Sequence, residues 1–220
     1  YVVDAQIRPS VTYGPLVVTD SRWIDYYRYE ADIWEIQALL RMRAVGGDKG
    51  LGHRLETEAA EICGAQRSQE TVWPRLCQLR RRMELERSRE TSSTLDLKLG
   101  PGGLTDVEFL VQGAELVQGR RRQTALAVRD HLEQLGPVLG LLPESVEKIQ
   151  MQYQALRKLE LRMQLMTNQT GSLITRDEFS QLEQSGLWPP DGTEAIIQDW
   201  NDIQVARREI RKVWESVCAG

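Results

Sequence analysis

The chain has 220 residues, of which 41% are hydrophobic and 27% are charged, and its formal net charge is -4. This composition is typical of a folded globular protein and excludes a disordered one. A net negative charge gives no general basic field of the kind that drives nucleic-acid binding, and no apolar run reaches the roughly 18 residues needed to cross a bilayer. We therefore expect a protein that binds neither nucleic acid nor a membrane.

The first residues differ from the rest of the chain in their periodicity. Residues 1–8 alternate as in a β-strand that stops at Pro9, and residues 16–18 form a second short β-branched run. From about residue 21 onward, apolar residues recur at helical spacing almost throughout. The pattern predicts a mainly α structure, an antiparallel helical bundle preceded by one or two short strands.

Helical patterns cover most of the remaining chain. Thr19, Asp20 or Ser21 can cap the first helix, and Thr193 can cap the last one, with Ile196 on its buried face. Residues 95–98 form either a short strand or an extended arm. The clearest helix carries an apolar stripe of Val146, Ile149, Tyr153, Leu156, Leu159, Met163 and Met166. The predicted helices span residues 23–45 (with a possible break near 31), 51–62, 70–89, 104 onward, 124–135, 143–166, 177–184 and 193–217.

The three cysteines, Cys63, Cys77 and Cys218, are odd in number and lack Cys-x-x-Cys spacing. Zinc sites and disulfide frameworks usually contain even sets of cysteines at regular spacings. The start of the chain also has no basic region of the kind that opens a signal peptide. We interpret the cysteines as reduced thiols and expect a cytoplasmic protein.

Residues 75–89 hold six arginines against two glutamates, and residues 120–122 form a second basic cluster. Both runs suit an acidic partner or phosphate groups. More commonly such runs form the solvated face of a helix or a loop. We interpret both as solvated surface.

Asp4 lies in the middle of the first predicted strand, next to Val3. A carboxylate in such a position is costly to bury unless it is paired or binds a metal ion, and its oxygens suit Mg²⁺. Two-metal phosphoryl transfer holds its ions with several carboxylates. Taken alone, Asp4 is more simply explained as a solvent-facing aspartate at the edge of a sheet.

Gly102 and Gly103 end a glycine-rich turn that precedes a helical pattern. Backbone N–H groups at a helix N-terminus can meet a phosphate, and Lys98 can add a positive charge. Asp106 and Glu108 are two residues apart on the helix and do not share a face. The alternative is a simple turn in which Asp106 favours the helix N-terminus. The residue order of a P-loop is absent.

Arg41 and Arg43 lie near the end of the first helical pattern. Guanidinium groups bind phosphates through paired hydrogen bonds, so both are candidate phosphate ligands. The alternative is two solvated arginines near a helix C-terminus, where a positive charge suits the helix dipole.

Three motifs run through these stretches. They are Tyr-x-Val-Asp-x-x-x-Arg-Pro-Ser from residue 1, Tyr-x-x-x-Glu-x-x-x-Trp-Glu-x-Gln-Ala-Leu-x-x-x-Arg from residue 26, and Asp-x-Lys-x-x-x-Gly-Gly-x-x-Asp-x-Glu-Phe-x-Val-Gln from residue 96. In their order and separation they resemble the glutamine synthetase adenylyltransferase family. The resemblance is clear over residues 1–118 and weaker to about residue 217.

This resemblance implies a parent enzyme with two nucleotidyltransferase domains, each followed by a helical domain. One half transfers AMP from ATP to a tyrosine of glutamine synthetase, and the other half removes it by phosphorolysis. A PII signalling protein and glutamine set the balance. The implied cofactors are Mg²⁺ and ATP. The implied site comprises Asp4 as catalytic and metal-binding carboxylate, with nucleotide-contacting candidates Arg41, Arg43, Lys98, Gly102, Gly103, Asp106 and Glu108.

The family's first two carboxylates lie in a Gly-Ser-x-x-Asp-x-Asp motif, which this sequence lacks. Because one aspartate cannot assemble a two-ion site, we expect this chain to be catalytically silent by itself. The Arg-Pro-Ser at residues 8–10 and the Gly-Leu-Thr-Asp at residues 103–106 look more like the adenylylating half of the family.

The predicted organisation has three parts: the last strands of a truncated nucleotidyltransferase domain at 1–19, connecting helices at 20–94, and a helical domain at 95–220. Two alternatives stay open. One is a helical protein-binding module of a related PII uridylyltransferase. The other is a non-catalytic docking domain that holds glutamine synthetase or PII.

Overall fold

The computed structural model describes residues 9, 14–15, 17–119, 128–168, 170–186, 188 and 196–219, and within these ranges the chain is mainly helical. Two short strands, β1 (Thr94–Asp96) and β2 (Leu173–Thr175), accompany the helices. The prediction of a mainly α fold with one or two short strands is confirmed. The helices are α1 (Asp20–Tyr29), α2 (Ile33–Leu39), α3 (Lys49–Gly64), α4 (Gln69–Arg87), α5 (Leu104–Gln118), α6 (Val128–Leu135), α7 (Pro143–Thr167), α8 (Arg176–Gln184) and α9 (Trp200–Ala219), with a 3-10 turn at Gly136–Leu139.

Side-chain caps fix where the first three helices begin. The Thr19 side chain accepts a hydrogen bond at the start of α1, as predicted. Asp32 and Glu35 form a reciprocal capping box at the start of α2, and Asp48 caps α3. The capping box at Asp32 explains why the helical pattern over residues 23–45 is divided into two helices near residue 31.

The two strands pair antiparallel, with Leu95 opposite Ile174. β1 overlaps the short strand or extended arm predicted at residues 95–98, whereas β2 has no sequence signal because three residues are too few to show alternation. The strand predicted at residues 1–8 lies outside the described residues. Val17 and Val18 lie outside any strand.

The chain divides into two compact units, and helices α4 and α5 contribute residues to both. The three-part division expected from the sequence, with its boundary at residues 94 and 95, stays a prediction about the domains. The first unit comprises residues 1–76 and 112–126, and the second comprises residues 77–111 and 127–220.

In the first unit, α1 and α2 pack against α3. Gly113 of α5 lies against the indole of Trp73, where a Cβ atom would stand 2.4 Å from the ring. A glycine in α5 therefore lets the aromatic ring pack directly on the backbone. The buried apolar residues of this unit include Tyr26, Tyr27, Ile36, Leu39, Leu40, Ala59, Ile62 and Leu76.

In the second unit, α7 packs against α6, α8 and α9. Most of its predicted apolar stripe is buried, together with two polar residues, Gln152 and Glu160. Tyr153 and Met166 of the stripe are only half-buried. No helix in the described ranges is both long and apolar enough to span a bilayer.

The last helix begins later than its sequence pattern predicts. Asp199 Oδ1 accepts hydrogen bonds from the N–H groups of Asn201 and Asp202, at 2.7 and 3.0 Å, and this cap places the start of α9 at Trp200. Ile196 precedes the helix, so its predicted place on the helical face is wrong. The predicted cap Thr193 lies outside the described residues.

The prediction of three reduced thiols is wrong for two of them. Cys77 and Cys218 form a disulfide between α4 and α9, with their Cα atoms 6.0 Å apart. Cys63 is free and buried. The sequence does not indicate this pair, because its members lie 141 residues apart and only the packing of α9 brings them together.

Candidate functional site

The glycine turn before α5 is shaped by close packing against α9. Gly102 has a φ of +70°, and a Cβ atom there would lie 1.8 Å from the carbonyl oxygen of Arg207. A Cβ atom on Gly103 would lie 2.7 Å from the carbonyl oxygen of Lys98. Both positions therefore require glycine for steric reasons within the fold.

The backbone N–H groups of this turn already have acceptors. The N–H of Gly102 donates to Oδ2 of Asp106 at 2.8 Å, and that of Gly103 donates to the carbonyl of Gly100 at 3.0 Å. The N–H groups of Leu104 and Thr105 bond to the carbonyls of residues 97 and 98. The turn thus caps α5 with its own groups, and its predicted contact with a phosphate stays a prediction.

Asp106 is the centre of a buried charge network. Its Oδ1 lies 2.5 Å from Nε of Arg80, and both side chains are fully buried. Nη2 of Arg80 also donates to the carbonyl of Gly100 at 2.9 Å. Because a buried charge must be paired to be tolerated, this arrangement joins α4 to α5. The sequence interpretation of residues 75–89 as solvated surface is therefore wrong for Arg80.

Arg211 extends this network to α9. Its Nη1 lies 2.8 Å from Oε2 of Glu84 and 3.4 Å from Oδ2 of Asp106. Burial lowers the pKa of Arg211, but its hydrogen bond to Glu215 and the charges of Asp106 and Glu84 outweigh burial and raise that pKa. The guanidinium is thus held charged between three carboxylates.

A second ion pair lies beside this network. Nη2 of Arg207 is 2.5 Å from Oε1 of Glu90, which also accepts the N–H of Asp96 at 2.7 Å. Oδ1 of Asp96 accepts from the hydroxyl of Ser172 at 2.7 Å and from the N–H groups of Lys98 and Leu99. The motif aspartates 96 and 106 therefore both hold the turn in place.

In the first unit, residues of two different motifs meet. The terminal amides of Gln37 and Gln112, which are 75 positions apart in sequence, approach to 2.6 Å, and both residues are buried. The other end of the Gln112 amide lies 2.9 Å from Nε of Arg41. Since a guanidinium only donates, the oxygen of Gln112 faces Arg41 and its nitrogen donates to Gln37, whose amide then presents its oxygen.

Two residues of the second motif, Tyr26 on α1 and Glu35 on α2, also contact each other. The hydroxyl of Tyr26 donates to Oε1 of Glu35 at 2.7 Å, while Oε2 of Glu35 accepts the N–H of Asp32. The ring of the neighbouring Tyr27 packs edge-on against Tyr26, with centroids 5.3 Å apart. Burial, reinforced by the charge of Glu35, raises the pKa of Tyr27 to about 12.

The first unit also contains a cleft of about 140 Å³ lined by Tyr27, Arg28, Glu61, Ile62, Ala65 and Arg67. Both arginines that line the cleft already bind other groups of the protein. Arg28 pairs with Glu58 and Glu61 at 2.5 and 2.7 Å. Arg67 donates to the carbonyls of Ile62 and Ala65, at the C-terminal end of α3. Arg28 therefore forms ion pairs with α3, and Arg67 binds the carbonyl groups at its C-terminal end.

The predicted site residues fall into three groups. Asp4 lies outside the described residues. Arg41 contacts Gln112, whereas Arg43 is exposed and makes no ion pair or hydrogen bond in the described part of the chain. In the second unit, Gly102 and Gly103 both bond to Asp106: the N–H of Gly102 donates to its carboxylate, and the carbonyl of Gly103 accepts its N–H at 3.0 Å. Lys98 is exposed and Glu108 is half-buried. Their roles in nucleotide binding stay predictions.

The fit of a divalent metal ion can be judged only on the described ranges. There, no group of three or more histidine, cysteine, aspartate or glutamate side chains is placed to hold a metal ion. The expected ligand Asp4 lies outside these ranges.

Comparison with known proteins places these features in a class. Residues 74–217 match the family model described as GlnD PII-uridylyltransferase, and residues 1–58 match the model for glutamate-ammonia ligase adenylyltransferase. The first match covers the glycine turn and the charge network, and the second covers the motif around Gln37. Both models are named for nucleotidyltransferases, one a uridylyltransferase and the other an adenylyltransferase.

The curated relatives narrow this class. Bifunctional glutamine synthetase adenylyltransferase/adenylyl-removing enzymes from Streptomyces coelicolor, Leifsonia xyli and Mycolicibacterium smegmatis are 38%, 34% and 33% identical over 218, 208 and 219 residues. These alignments cover 96%, 92% and 96% of this chain. The chain belongs to the glutamine synthetase adenylyltransferase family. It spans 22%, 20% and 21% of the length of these relatives.

Proposed function

We propose that this chain is a section of an adenylyltransferase that transfers AMP from ATP to a tyrosine of glutamine synthetase. In that reaction the tyrosine oxygen bonds to the α-phosphorus, pyrophosphate leaves and the phenolic proton is lost. The other half of the parent enzyme would remove the AMP, so that the protein would regulate nitrogen assimilation. A PII protein is proposed as a second partner and the cytoplasm as the location.

One observation carries this proposal. The amides of Gln37 and Gln112 belong to different motifs of the family and meet inside the first unit, with Arg41 on the far side of Gln112. Motif residues that lie 75 positions apart in sequence are thus neighbours in the fold. This supports a shared architecture with the adenylyltransferases and argues against a chance likeness of short motifs.

The proposed division of labour among residues follows from this architecture. Asp4 is proposed as one carboxylate of the metal site, and a bound Mg²⁺ would supply charge stabilisation to the phosphates. Arg43 and Lys98 are exposed cations that are proposed to contact phosphate groups or a neighbouring domain. Asp106 and Gly102 are proposed to act indirectly, by holding the turn that carries Lys98.

The test is a chimaera in which this chain replaces the matching 218 residues of the Streptomyces coelicolor relative. Transfer of label from [α-³²P]ATP to glutamine synthetase is measured, with thermal unfolding as a check that the chimaera folds. Asp4→Asn should abolish labelling. Asp25→Asn, which changes an exposed aspartate outside the motif positions, is the matched control. A folded chimaera that labels glutamine synthetase equally well with Asn at position 4 would refute the proposed role of Asp4.

The second candidate is a PII uridylyltransferase. It is favoured by the name of the family model that matches residues 74–217. The same chimaera distinguishes the two, because a uridylyltransferase segment should support labelling of a PII protein from [α-³²P]UTP. Labelling of PII, with none of glutamine synthetase, would replace the first proposal by the second.

A non-catalytic docking role is tested on the 220-residue chain alone. We expect no transfer of label by the chain, because it lacks the motif for two of the three carboxylates. Capture of glutamine synthetase by the immobilised chain would show that the helical segment itself holds the substrate. Turnover by the isolated chain would contradict the proposed role of the missing motif.

A further inference from the structure

Helices α4 and α9 are linked at three places along their length. The links are the Cys77–Cys218 disulfide, the ion pair of Glu84 with Arg211, and the ion pair of Glu90 with Arg207 just beyond the end of α4. The order of partners along one helix is reversed along the other, so the two helices run antiparallel. Cys77 lies seven residues before Glu84, and Cys218 lies seven residues after Arg211. The disulfide therefore continues the register set by the ion pairs, two helical turns further on.

The disulfide holds a part of α9 that has little other anchorage. Trp214 is the last buried residue of this helix, and beyond it Glu215, Ser216, Cys218 and Ala219 are exposed. Cys77 is half-buried on α4. The bond thus joins a half-buried residue to an exposed residue near the end of a helix, where local opening requires little energy.

We propose that Cys77 and Cys218 form a reversible thiol–disulfide exchange site that controls the order of the last turns of α9. The reductant is a dithiol. Its thiolate attacks Sγ of Cys218, the more exposed of the two residues, the sulfur–sulfur bond breaks, and the Cys77 thiolate leaves and takes up a proton. The second thiol of the reductant then attacks the mixed disulfide, which releases Cys218 as a thiol and the reductant as a cyclic disulfide. Oxidation by a small disulfide such as oxidised glutathione reverses the change and releases two glutathione thiols.

The ion pairs limit how far the change spreads. The pairs of Arg211 with Glu84 and of Arg207 with Glu90 do not involve the cysteines. Reduction should therefore free the segment after Arg211 while the earlier turns of α9 stay packed. This inference does not rest on the proposed enzymatic function, since it uses only contacts within the second unit.

The chain is oxidised with glutathione disulfide or reduced with dithiothreitol, and the two states are compared. Alkylation after denaturation should modify one cysteine, Cys63, in the oxidised state and all three in the reduced state. Peptide mapping should identify the Cys77–Cys218 link. In hydrogen exchange, residues 212–219 should exchange at least about tenfold faster after reduction, while residues 200–210 keep their protection.

Variants separate this site from a general effect of the reductant. Cys77→Ser and Cys218→Ser should show the fast exchange of the reduced state and should no longer respond to dithiothreitol. Cys63→Ser should keep the response. Modification of all three cysteines after oxidation would overturn the proposal, as would equal exchange of residues 212–219 in both states. Loss of protection across the whole of α9 on reduction would also overturn it, since the disulfide would then hold the fold and not the helix end alone.

Discussion

Arg80 and Asp106 form an ion pair in which both side chains are fully buried, with Nε of the arginine 2.5 Å from Oδ1 of the aspartate. The pair joins α4 to α5 directly behind the glycine turn. Since neither charge has access to water, each depends on the other and on the groups around it. A residue of the family motif is therefore used in the core of the second unit.

Removing one member of this pair should destabilise the protein strongly. We expect Asp106→Ala to lower the free energy of unfolding by about 3 to 5 kcal/mol, because Arg80 would keep a buried charge without its closest partner. Urea unfolding followed by circular dichroism measures the change. Arg81→Ala, at an exposed position next to Arg80 on α4, should change stability by no more than about 0.5 kcal/mol. Equal effects of the two variants would contradict the buried pair.

Gly140 is a matched control for Gly102 of the glycine turn, because the two have similar backbone angles but different surroundings. Their φ angles are +70° and +67°, but a Cβ atom would strike the Arg207 carbonyl at Gly102 and would meet nothing within 4 Å at Gly140. Gly140→Ala should cost about 1 to 2 kcal/mol from backbone strain alone. Gly102→Ala should cost clearly more, because α9 must also move. Equal losses in a thermal melt would show that packing against α9 does not require this glycine.

The contact between Gln37 and Gln112 should appear as a coupling energy. Each single change to methionine leaves a buried amide without its partner and should cost about 1 to 3 kcal/mol. The double variant should cost less than the sum of the two singles, since no amide of the pair remains unpaired. Strict additivity in urea unfolding would show that the two amides do not interact in solution.

Tyr27 should titrate late and make stability depend on alkaline pH. Burial raises its pKa to about 12, above the value of about 10 in an unfolded chain. The folded state therefore holds the proton more tightly, and this stabilisation is complete below about pH 10 and is lost as the pH rises towards 12. Absorbance at 295 nm reports the ionisation.

Two variants assign this alkaline transition. Tyr27→Phe should remove the latest-titrating component of the absorbance change and flatten the loss of stability between pH 10 and 12. Tyr29→Phe, at a position that is 80% exposed, removes one chromophore without removing a buried phenol. A late component that survives in Tyr27→Phe would show that another group is responsible.

Glu209 should contribute to acid sensitivity. Hydrogen bonds from Lys148 of α7 and from Lys212 lower its pKa to about 2. Because the folded pKa lies below the unfolded value of about 4.3, this stabilisation is present above that value and is lost as the pH falls to about 2. Glu209→Gln should reduce the decline of stability over this range, measured by urea unfolding at a series of pH values. An unchanged decline would exclude Glu209 as a source of acid sensitivity.

The sequence by itself determined the helical character of this chain and its family. Helix faces are visible as a period of 3.6 residues, and a cap such as Thr19 acts within a few positions, so both can be found from the sequence. The mainly α fold and most helix positions followed from these local signals. The three motifs identified the family because their order and spacing do not depend on knowing the contacts.

Only the tertiary structure decided which polar groups are buried and what they touch. Arg80 looks like any other arginine of a basic run, and the disulfide partners lie 141 residues apart. By its sequence the glycine turn could be a phosphate-binding loop or a simple turn, and only the structure shows that the Arg207 carbonyl lies against Gly102. The physical reason is the same in each case. Burial, ion pairing and steric contact arise between distant segments, and no local pattern records which segments will meet.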